Sequence, residues 1–194
     1  MAQQAPRFSI ICVCTGNVCR SPAAERLLVH RLGPSVSVRS AGTHALVGQP
    51  ISPPMDRLVE GAGADPRGFA ARRLTETLLE PADLVLTMTR AHRSDVVELR
   101  PSVVRRTFTL RELARLITEV PPASLPDGEV PERLRAAIPL AASRRRHVVD
   151  ARADDVVDPY RQPTDVYAEA FEDIRRAVEA IATVVGPSRA SSRR

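Results

Sequence analysis

The sequence contains neither lysine nor tryptophan, and only three of its 194 residues are cysteine. Without lysine the chain cannot form the nucleotide-binding loop in which glycines are followed by Lys and then Ser or Thr. Cys12, Cys14 and Cys19 include no CxxC pair and have no histidine near them, which argues against a structural zinc site. An odd number of cysteines in one short stretch fits a reducing compartment better than a framework of disulfides.

Long apolar runs are also missing. No run approaches the roughly 18 residues of a membrane-spanning helix, and the first residues lack the apolar segment of a signal peptide. We therefore expect a cytoplasmic protein with no membrane partner. All 28 basic residues are arginine and the net charge is +5. The arginines are scattered apart from residues 144–146 and 193–194, so we expect no nucleic acid partner.

The length and the apolar content of 43% are enough to bury one core. We expect a single domain over residues 1–186, with an insertion at about residues 120–150, and a disordered tail at 187–194. The insertion is rich in proline and is either a flexible flap, a short helix over residues 132–142, or a solvated surface excursion, and it could shape access to the site.

Buried-strand patterns alternate with amphipathic patterns, as a parallel sheet with helical crossovers requires. The predicted strands cover residues 8–13, 36–40, 82–88 and 104–109. The predicted helices cover residues 22–31, 52–61, 91–99 and 110–118, and a long amphipathic helix begins after residue 163. The pattern predicts an α/β fold: a four-stranded parallel sheet flanked by helices on both faces, with a phosphate-binding loop after the first strand.

That loop combines a thiol and a guanidinium, Cys14 and Arg20, directly after the first strand. Gly16 and Asn17 tolerate the positive φ angles of a tight loop, and Ser21 followed by proline predicts a helix N-cap. Backbone N–H groups and the positive end of the helix dipole would together favour a bound dianion and the thiolate form of Cys14.

Each of these residues also has an ordinary interpretation. Free cysteines are among the most buried residue types, so all three thiols could simply fill space. Arg20 could be a solvated residue at a helix start. However, a cation at a helix N-terminus is unfavourable unless an anion lies beside it, so the position of Arg20 favours an anion site.

The chain resembles the low molecular weight protein tyrosine phosphatases, whose signature V-C-x-G-N-x-C-R-S-P lies between a strand and a helix. The matching residues are Val13-Cys14-Thr15-Gly16-Asn17-Val18-Cys19-Arg20-Ser21-Pro22, continued by Ala24-Glu25. Two later segments agree in order and spacing, Ser40-Ala41-Gly42-Thr43 and Asp158-Pro159-Tyr160. The resemblance spans most of residues 7–185.

The resemblance implies a phosphatase that needs no metal ion or cofactor and acts on a phosphotyrosine protein or a small aryl phosphate. Cys14 would be the nucleophile, Arg20 a bidentate ligand of the phosphate, and Asp158 the acid that protonates the leaving group. The phosphate would be bound by the loop residues Thr15, Gly16, Asn17, Val18, Cys19 and Arg20. Three other aspartates, Asp150, Asp154 and Asp155, compete for the acid role, since sequence alone does not show which one faces the loop.

Supporting roles also follow from the resemblance. Ser21 would hydrogen-bond the Cys14 sulfur, and Asn17 would fix the loop through Ser40. Cys19 would form a reversible disulfide with Cys14 under oxidation. We expect a monomer or weak dimer.

The chain departs from the family at two places near the site. Residues 44–47 supply no aromatic wall, and Phe69 replaces a histidine that many relatives have. The main alternative function is an arsenate reductase that uses an external thiol, because no cysteine follows Cys19 to relay electrons. A regulatory module with an inactive site is a third interpretation, against which the joint presence of Cys14, Arg20 and Asp158 argues.

Overall fold

Four parallel strands form the central sheet of the computed structural model, which describes residues 7–145 and 151–186. They are β1 (Phe8–Cys14), β2 (Val36–Gly42), β3 (Leu84–Thr87) and β4 (Thr107–Thr109). The spatial order is β2-β1-β3-β4, so the chain moves from β1 to one neighbour and then returns to the other side. The loops after β1 and β3 therefore lie side by side at the carboxyl edge of the sheet, where ligands bind in such folds.

Helices cover both faces of this sheet, as the sequence predicts. They are α1 (Arg20–Leu32), α2 (Met55–Gly61), α3 (Glu76–Leu79), α4 (Arg90–Leu99), α5 (Leu110–Thr118), α6 (Val130–Ala142) and α7 (Thr164–Val185). Alternate residues of β1 enter two separate cores, because successive side chains of a strand point to opposite faces. Ile10 and Cys12 pack with α1, α5 and α7, whereas Ile11 and Val13 pack with residues of α3 and α4.

Strand β4 is shorter than the predicted strand 104–109. The prediction is wrong for the first half of that range. Pro101–Arg106 form a 3₁₀ helix instead, with Val103 buried and Val104 exposed. Proline at the start of this segment fixes a helical φ, and the two adjacent valines give a misleading strand signal. Only the three residues Thr107–Thr109 pair with β3.

Helix α1 begins two residues earlier than predicted, and Ser21 is not its N-cap. The residue before the helix is Cys19, and no side chain caps the first turn. The first turn thus contains Arg20 and Ser21, both nearly fully buried. The predicted helix 52–61 also starts later, at Met55.

The predicted insertion contains a helix, α6, that packs against α5 and α7. Leu134, Ala137 and Ala141 are fully buried on its inner side, so this part is not a solvated excursion. The Arg135 guanidinium lies 5.3 Å from the ring centroid of Phe8, which is at the opposite end of β1 from Cys14. The described part of the insertion therefore does not form a flap over the pocket, and residues 146–150 and the predicted tail 187–194 lie outside the described residues.

Among the described residues, no helix combines the length and the apolar character that crossing a membrane requires.

Candidate active site

Residues 15–19 form a tight loop that leaves β1 at Cys14, and the segment after β2 holds this loop in place. Backbone N–H groups of Thr43 and His44 donate to the carbonyl oxygens of Cys14 (2.9 Å) and Thr15 (3.0 Å). Gly42 lies directly against the loop, and a Cβ atom there would collide with the Thr15 carbonyl oxygen. Position 42 therefore has to be glycine, because two backbones approach each other closely there.

Asn17 is the centre of a buried hydrogen-bond network behind the loop. Its φ of 56° lies in the left-handed region that asparagine tolerates. The side-chain amide donates to Ser21 Oγ (2.9 Å) and to Ser40 Oγ (2.8 Å), and its oxygen accepts from Arg72 N (2.8 Å). The structure therefore has the predicted hydrogen bond between Asn17 and Ser40, and this network fixes the loop from behind rather than lining the pocket.

The Cys14 sulfur has two polar neighbours. Ser21 Oγ lies 2.9 Å from it, and the backbone N–H of Asn17 donates to it over 3.3 Å. Both are positioned to stabilise negative charge on sulfur. The hydroxyl of Ser21 thus contacts the sulfur, as the resemblance implies, although its position in the helix differs from the prediction.

Burial disfavours the thiolate form of the other two cysteines. Burial raises the pKa of Cys12 well above its usual value. Burial also raises the pKa of Cys19 to about 11, although its hydrogen bonds with Tyr167 and Ser52 oppose the shift. The Cys19 thiol lies against Tyr167 Oη at 3.9 Å. All three cysteines are free, and the disulfide between Cys14 and Cys19 stays a prediction.

Glu25 ends the buried network on the side away from the pocket. Ser40 Oγ donates to Glu25 Oε2 over 2.6 Å. Burial raises the pKa of Glu25, and the Ser40 hydrogen bond and the charges of Arg26 and Arg72 only partly oppose this. Phe69 is buried, and its ring centroid lies 5.6 Å from the Arg26 guanidinium.

The raised pKa of Glu25 gives a prediction for stability. Because the folded-state pKa exceeds the unfolded one, the free energy of unfolding decreases as pH rises from the ordinary pKa through the folded one. Glu25→Gln keeps an acceptor for Ser40 and removes the buried charge. We expect the difference in melting temperature, Glu25→Gln minus parent, to be more positive at pH 8 than at pH 4. The exposed Glu98→Gln should show no such change, and an equal difference for Glu25→Gln at both pH values would contradict the prediction.

Arg20 is buried, and its guanidinium binds two groups from the segment before α7. Nη2 lies 2.7 Å from Asp158 Oδ2, and Nη1 donates to the Val156 carbonyl oxygen over 3.2 Å. The Asp158 side chain is 52% exposed. The thiol loop and the Asp-Pro segment, far apart in sequence, thus meet at this guanidinium.

The structure distinguishes Asp158 from the neighbouring aspartates. Asp154 is buried and pairs with Arg115 at 2.9 Å, and Asp155 accepts the backbone N–H of Arg90 at 2.7 Å. Asp150 lies outside the described residues. Of those described, Asp158 is the aspartate that lines the pocket containing Cys14.

This pocket has a volume of about 150 Å³ and an apolar rim. It is lined by Cys14, Thr15, Gly16, Val18, Cys19, Arg20, His44, Leu46, Asp158 and Tyr160. In the described part of the chain, the backbone N–H groups of Thr15, Gly16, Val18 and Cys19 have no acceptor. Donors left unpaired in a buried loop beside a guanidinium are suited to an anion with several oxygens.

Sequence reasoning missed His92 and Thr89, which follow β3. His92 Nε2 lies 2.8 Å from Thr15 Oγ1, and its Nδ1 lies 2.8 Å from Thr89 Oγ1. The available signal was that both residues come directly after a strand next to β1, and hence at the same edge as Cys14.

Comparisons with known proteins agree with this geometry. Residues 9–121 match the family model described as low molecular weight phosphotyrosine protein phosphatase. The chain is 31% identical over 172 residues to a probable low molecular weight protein-tyrosine-phosphatase, EpsP, from Ralstonia nicotianae, an alignment that covers 89% of this chain and 92% of the relative.

Two solved structures are similar to the whole fold. The tyrosine phosphatase Wzb from Escherichia coli K30, in complex with sulphate, aligns with a TM-score of 0.68 and 24% identity over 93% of this chain and 100% of that one. The YwlE arginine phosphatase from Geobacillus stearothermophilus aligns with a TM-score of 0.67 and 27% identity over 91% of each chain.

Proposed function

Because this chain belongs to the low molecular weight phosphotyrosine protein phosphatase family, we propose that it hydrolyses phosphotyrosine and other aryl phosphate monoesters through a phosphocysteine intermediate on Cys14. The observation that carries the proposal is the convergence of three groups on one pocket. The Cys14 thiol lies in the loop, the buried Arg20 guanidinium closes it, and Asp158 lies 2.7 Å from that guanidinium.

In the first step, the Cys14 sulfur attacks phosphorus as the bond from phosphorus to the aryl oxygen breaks. Asp158 in its protonated form transfers its proton to the departing oxygen, so that a neutral phenol leaves. The guanidinium of Arg20 and the N–H groups of the loop stabilise the charge on the equatorial oxygens. A planar guanidinium can bind two of these oxygens at once, which lysine cannot do.

In the second step, water replaces the phenol. The Asp158 carboxylate removes a proton from this water, whose oxygen attacks phosphorus while the bond between sulfur and phosphorus breaks. The leaving group is the Cys14 thiolate, which the Ser21 hydroxyl and the Asn17 N–H are placed to stabilise. Orthophosphate and the starting enzyme result.

The rim of the pocket supports an aryl substrate. Leu46, which follows β2, and Tyr160, which follows the Asp-Pro pair, both line it. An apolar residue and an aromatic ring can contact the faces of a phenyl ring. Leu46 therefore takes the place of the aromatic wall that residues 44–47 lack.

The proposal is tested by the substrate profile of the purified protein. We expect hydrolysis of para-nitrophenyl phosphate and phosphotyrosine peptides in the presence of EDTA, and at least roughly 100-fold lower kcat/KM for phosphoserine peptides, whose alkoxide is a poorer leaving group. When an alcohol is added, the phosphocysteine would transfer its phosphoryl group either to water or to the alcohol. The ratio of orthophosphate to alkyl phosphate should therefore be the same for all aryl substrates, because all would form the same phosphocysteine.

Two other outcomes would redirect the assignment. Since the structure resembles an arginine phosphatase, phosphoarginine peptides belong in the same assay, and a higher kcat/KM for them would move the substrate class to phosphoramidates. Glutathione-dependent reduction of arsenate, without ester cleavage, would instead favour the arsenate reductase alternative.

A further inference from the structure

The structure joins the start of helix α4 to both halves of the active site. The backbone N–H of Met88 donates to the Val13 carbonyl oxygen in β1, and the Met88 carbonyl oxygen accepts from Val156 N, each at 2.9 Å. The Val156 carbonyl oxygen in turn binds Arg20. The turn after β3 therefore lies between the nucleophile loop and the acid segment, and His92 in the first turn of α4 contacts Thr15 of the nucleophile loop.

His92 is 6% exposed, and both of its ring nitrogens have a hydroxyl partner. Nδ1 lies 2.8 Å from Thr89 Oγ1, and Nε2 lies 2.8 Å from Thr15 Oγ1. Thr15 is the residue directly after Cys14, and it lines the pocket. A buried imidazole with two specific partners does more than fill space, because leaving either nitrogen unpaired costs free energy.

The hydroxyl of Thr89 contacts both the backbone and the ring of His92. As the N-cap of α4, Thr89 Oγ1 accepts the backbone N–H of His92. We assign the tautomer in which Thr89 donates its own proton to Nδ1, so that Nε2 carries the ring proton and donates to Thr15 Oγ1. The hydroxyl proton of Thr15 is consequently not used by His92 and is available to a ligand in the pocket.

The surroundings of His92 keep it neutral. Burial lowers its pKa to about 4, and the Arg20 guanidinium acts in the same direction. The carboxylates of Asp95, Asp155 and Asp158 oppose this shift but do not cancel it. The imidazole therefore supplies one donor and one acceptor, rather than a second positive charge beside Arg20.

We propose that His92 is a positioning residue of the phosphatase reaction: it fixes the Thr15 side chain so that the Thr15 hydroxyl donates a hydrogen bond to the phosphoryl group. This inference rests on the proposed function of Cys14 and Arg20. A hydroxyl held by a neighbouring donor has little freedom to rotate, so it stabilises charge on an equatorial oxygen without reorganisation in the transition state.

The first test is a double-mutant cycle between His92→Ala and Thr15→Val. Each single change should lower kcat for para-nitrophenyl phosphate roughly tenfold, the value of about one hydrogen bond, with KM changed less than about threefold. Because both changes remove the same interaction, the double variant should also lose roughly tenfold. A loss of about 100-fold in the double variant, which means independent effects, would overturn the proposal, as would full activity of Thr15→Val.

Conservative variants separate positioning from stability. His92→Gln places an amide near Nε2 and should recover most of the kcat lost in His92→Ala, and it also serves if the alanine variant does not fold. His30→Gln, at an exposed histidine of α1, is the matched control and should have the kcat of the parent. If His92→Gln is as slow as His92→Ala while its melting temperature equals that of the parent, the hydrogen bond between residue 92 and Thr15 does not support turnover, and the proposal is wrong.

A spectroscopic measurement makes failure of this inference distinguishable from failure of the proposed function. In ¹⁵N NMR spectra, His92 should be the Nε2–H tautomer and stay neutral at pH 6, and Thr15→Val should shift its Nε2 signal. An Nδ1–H tautomer would overturn the inference even in an active phosphatase. Absence of phosphatase activity with the expected tautomer would instead contradict the proposed function of Cys14, and the positioning role with it.

Discussion

Replacing Cys14 by serine is expected to reduce hydrolysis of para-nitrophenyl phosphate by roughly 10⁴-fold or more, because a hydroxyl is a far weaker nucleophile than a thiolate at neutral pH. The anion site should survive, since its donors are Arg20 and backbone N–H groups that this change does not alter. Isothermal titration with orthophosphate should therefore give a dissociation constant within a few-fold of the parent value. Cys14→Ser would thus lose activity while it keeps anion binding.

Cys12→Ala is the matched control for this loss. Cys12 lies two residues earlier on the same strand, is fully buried in the core, and does not line the pocket. Its removal should lower stability slightly, because the cavity is small, and leave kcat within about threefold of the parent. If Cys12→Ala were as inactive as Cys14→Ser, the nucleophile would be misassigned or the loop itself would have collapsed.

The nucleophile loop could be predicted from sequence because it is a local unit. A strand, a glycine, an asparagine and an arginine within thirteen residues determine both the turn and its charge, and the structure places these residues as the motif predicts. The role of Ser21 was only half predicted. A serine before proline favours an N-cap, but in the fold its hydroxyl contacts Cys14 and Asn17 instead of a backbone N–H.

Contacts between distant segments could not be derived in the same way. Choosing Asp158 over Asp154 and Asp155 depends on which carboxylate reaches Arg20, and only the folded chain shows that the other two bind Arg115 and the start of α4. Thr89 and His92 have the pattern of an ordinary helix start. Their proximity to Thr15 follows from the strand order β2-β1-β3-β4, which no local pattern determines.

Asp158→Asn is the second change with a large expected effect, and its two consequences have opposite directions. Loss of the proton donor should lower kcat by roughly 10²- to 10³-fold for phosphotyrosine peptides. The loss in kcat/KM, which reports the first step alone, should be smaller for para-nitrophenyl phosphate, since p-nitrophenolate leaves without help from an acid. Loss of the base in the second step affects all aryl substrates equally. A steeper dependence of the rate on leaving-group basicity, measured over a series of substituted phenyl phosphates, would identify the missing acid.

The same variant should bind oxyanions more tightly. In the resting enzyme the Asp158 carboxylate lies 2.7 Å from the guanidinium that a phosphate dianion would bind, so the carboxylate competes with substrate for Arg20 and its negative charge repels the dianion. Asparagine removes this charge at constant size, and the inhibition constant of orthophosphate should fall several-fold. Asp155→Asn, three residues earlier and able to keep its bond from Arg90, should change neither quantity.

These two effects together test whether Asp158 is both the acid and the resting partner of Arg20. If Asp158→Asn cleaves aryl phosphates at the parent rate, the acid has been misassigned. If kcat falls while orthophosphate binds no better, the ion pair with Arg20 does not limit access of the anion. The expected combination, slow turnover with tight binding, would make Asp158→Asn retain phosphotyrosine proteins long enough for their isolation from a lysate, with Cys14→Ser as the comparison that leaves the Asp158 carboxylate in place.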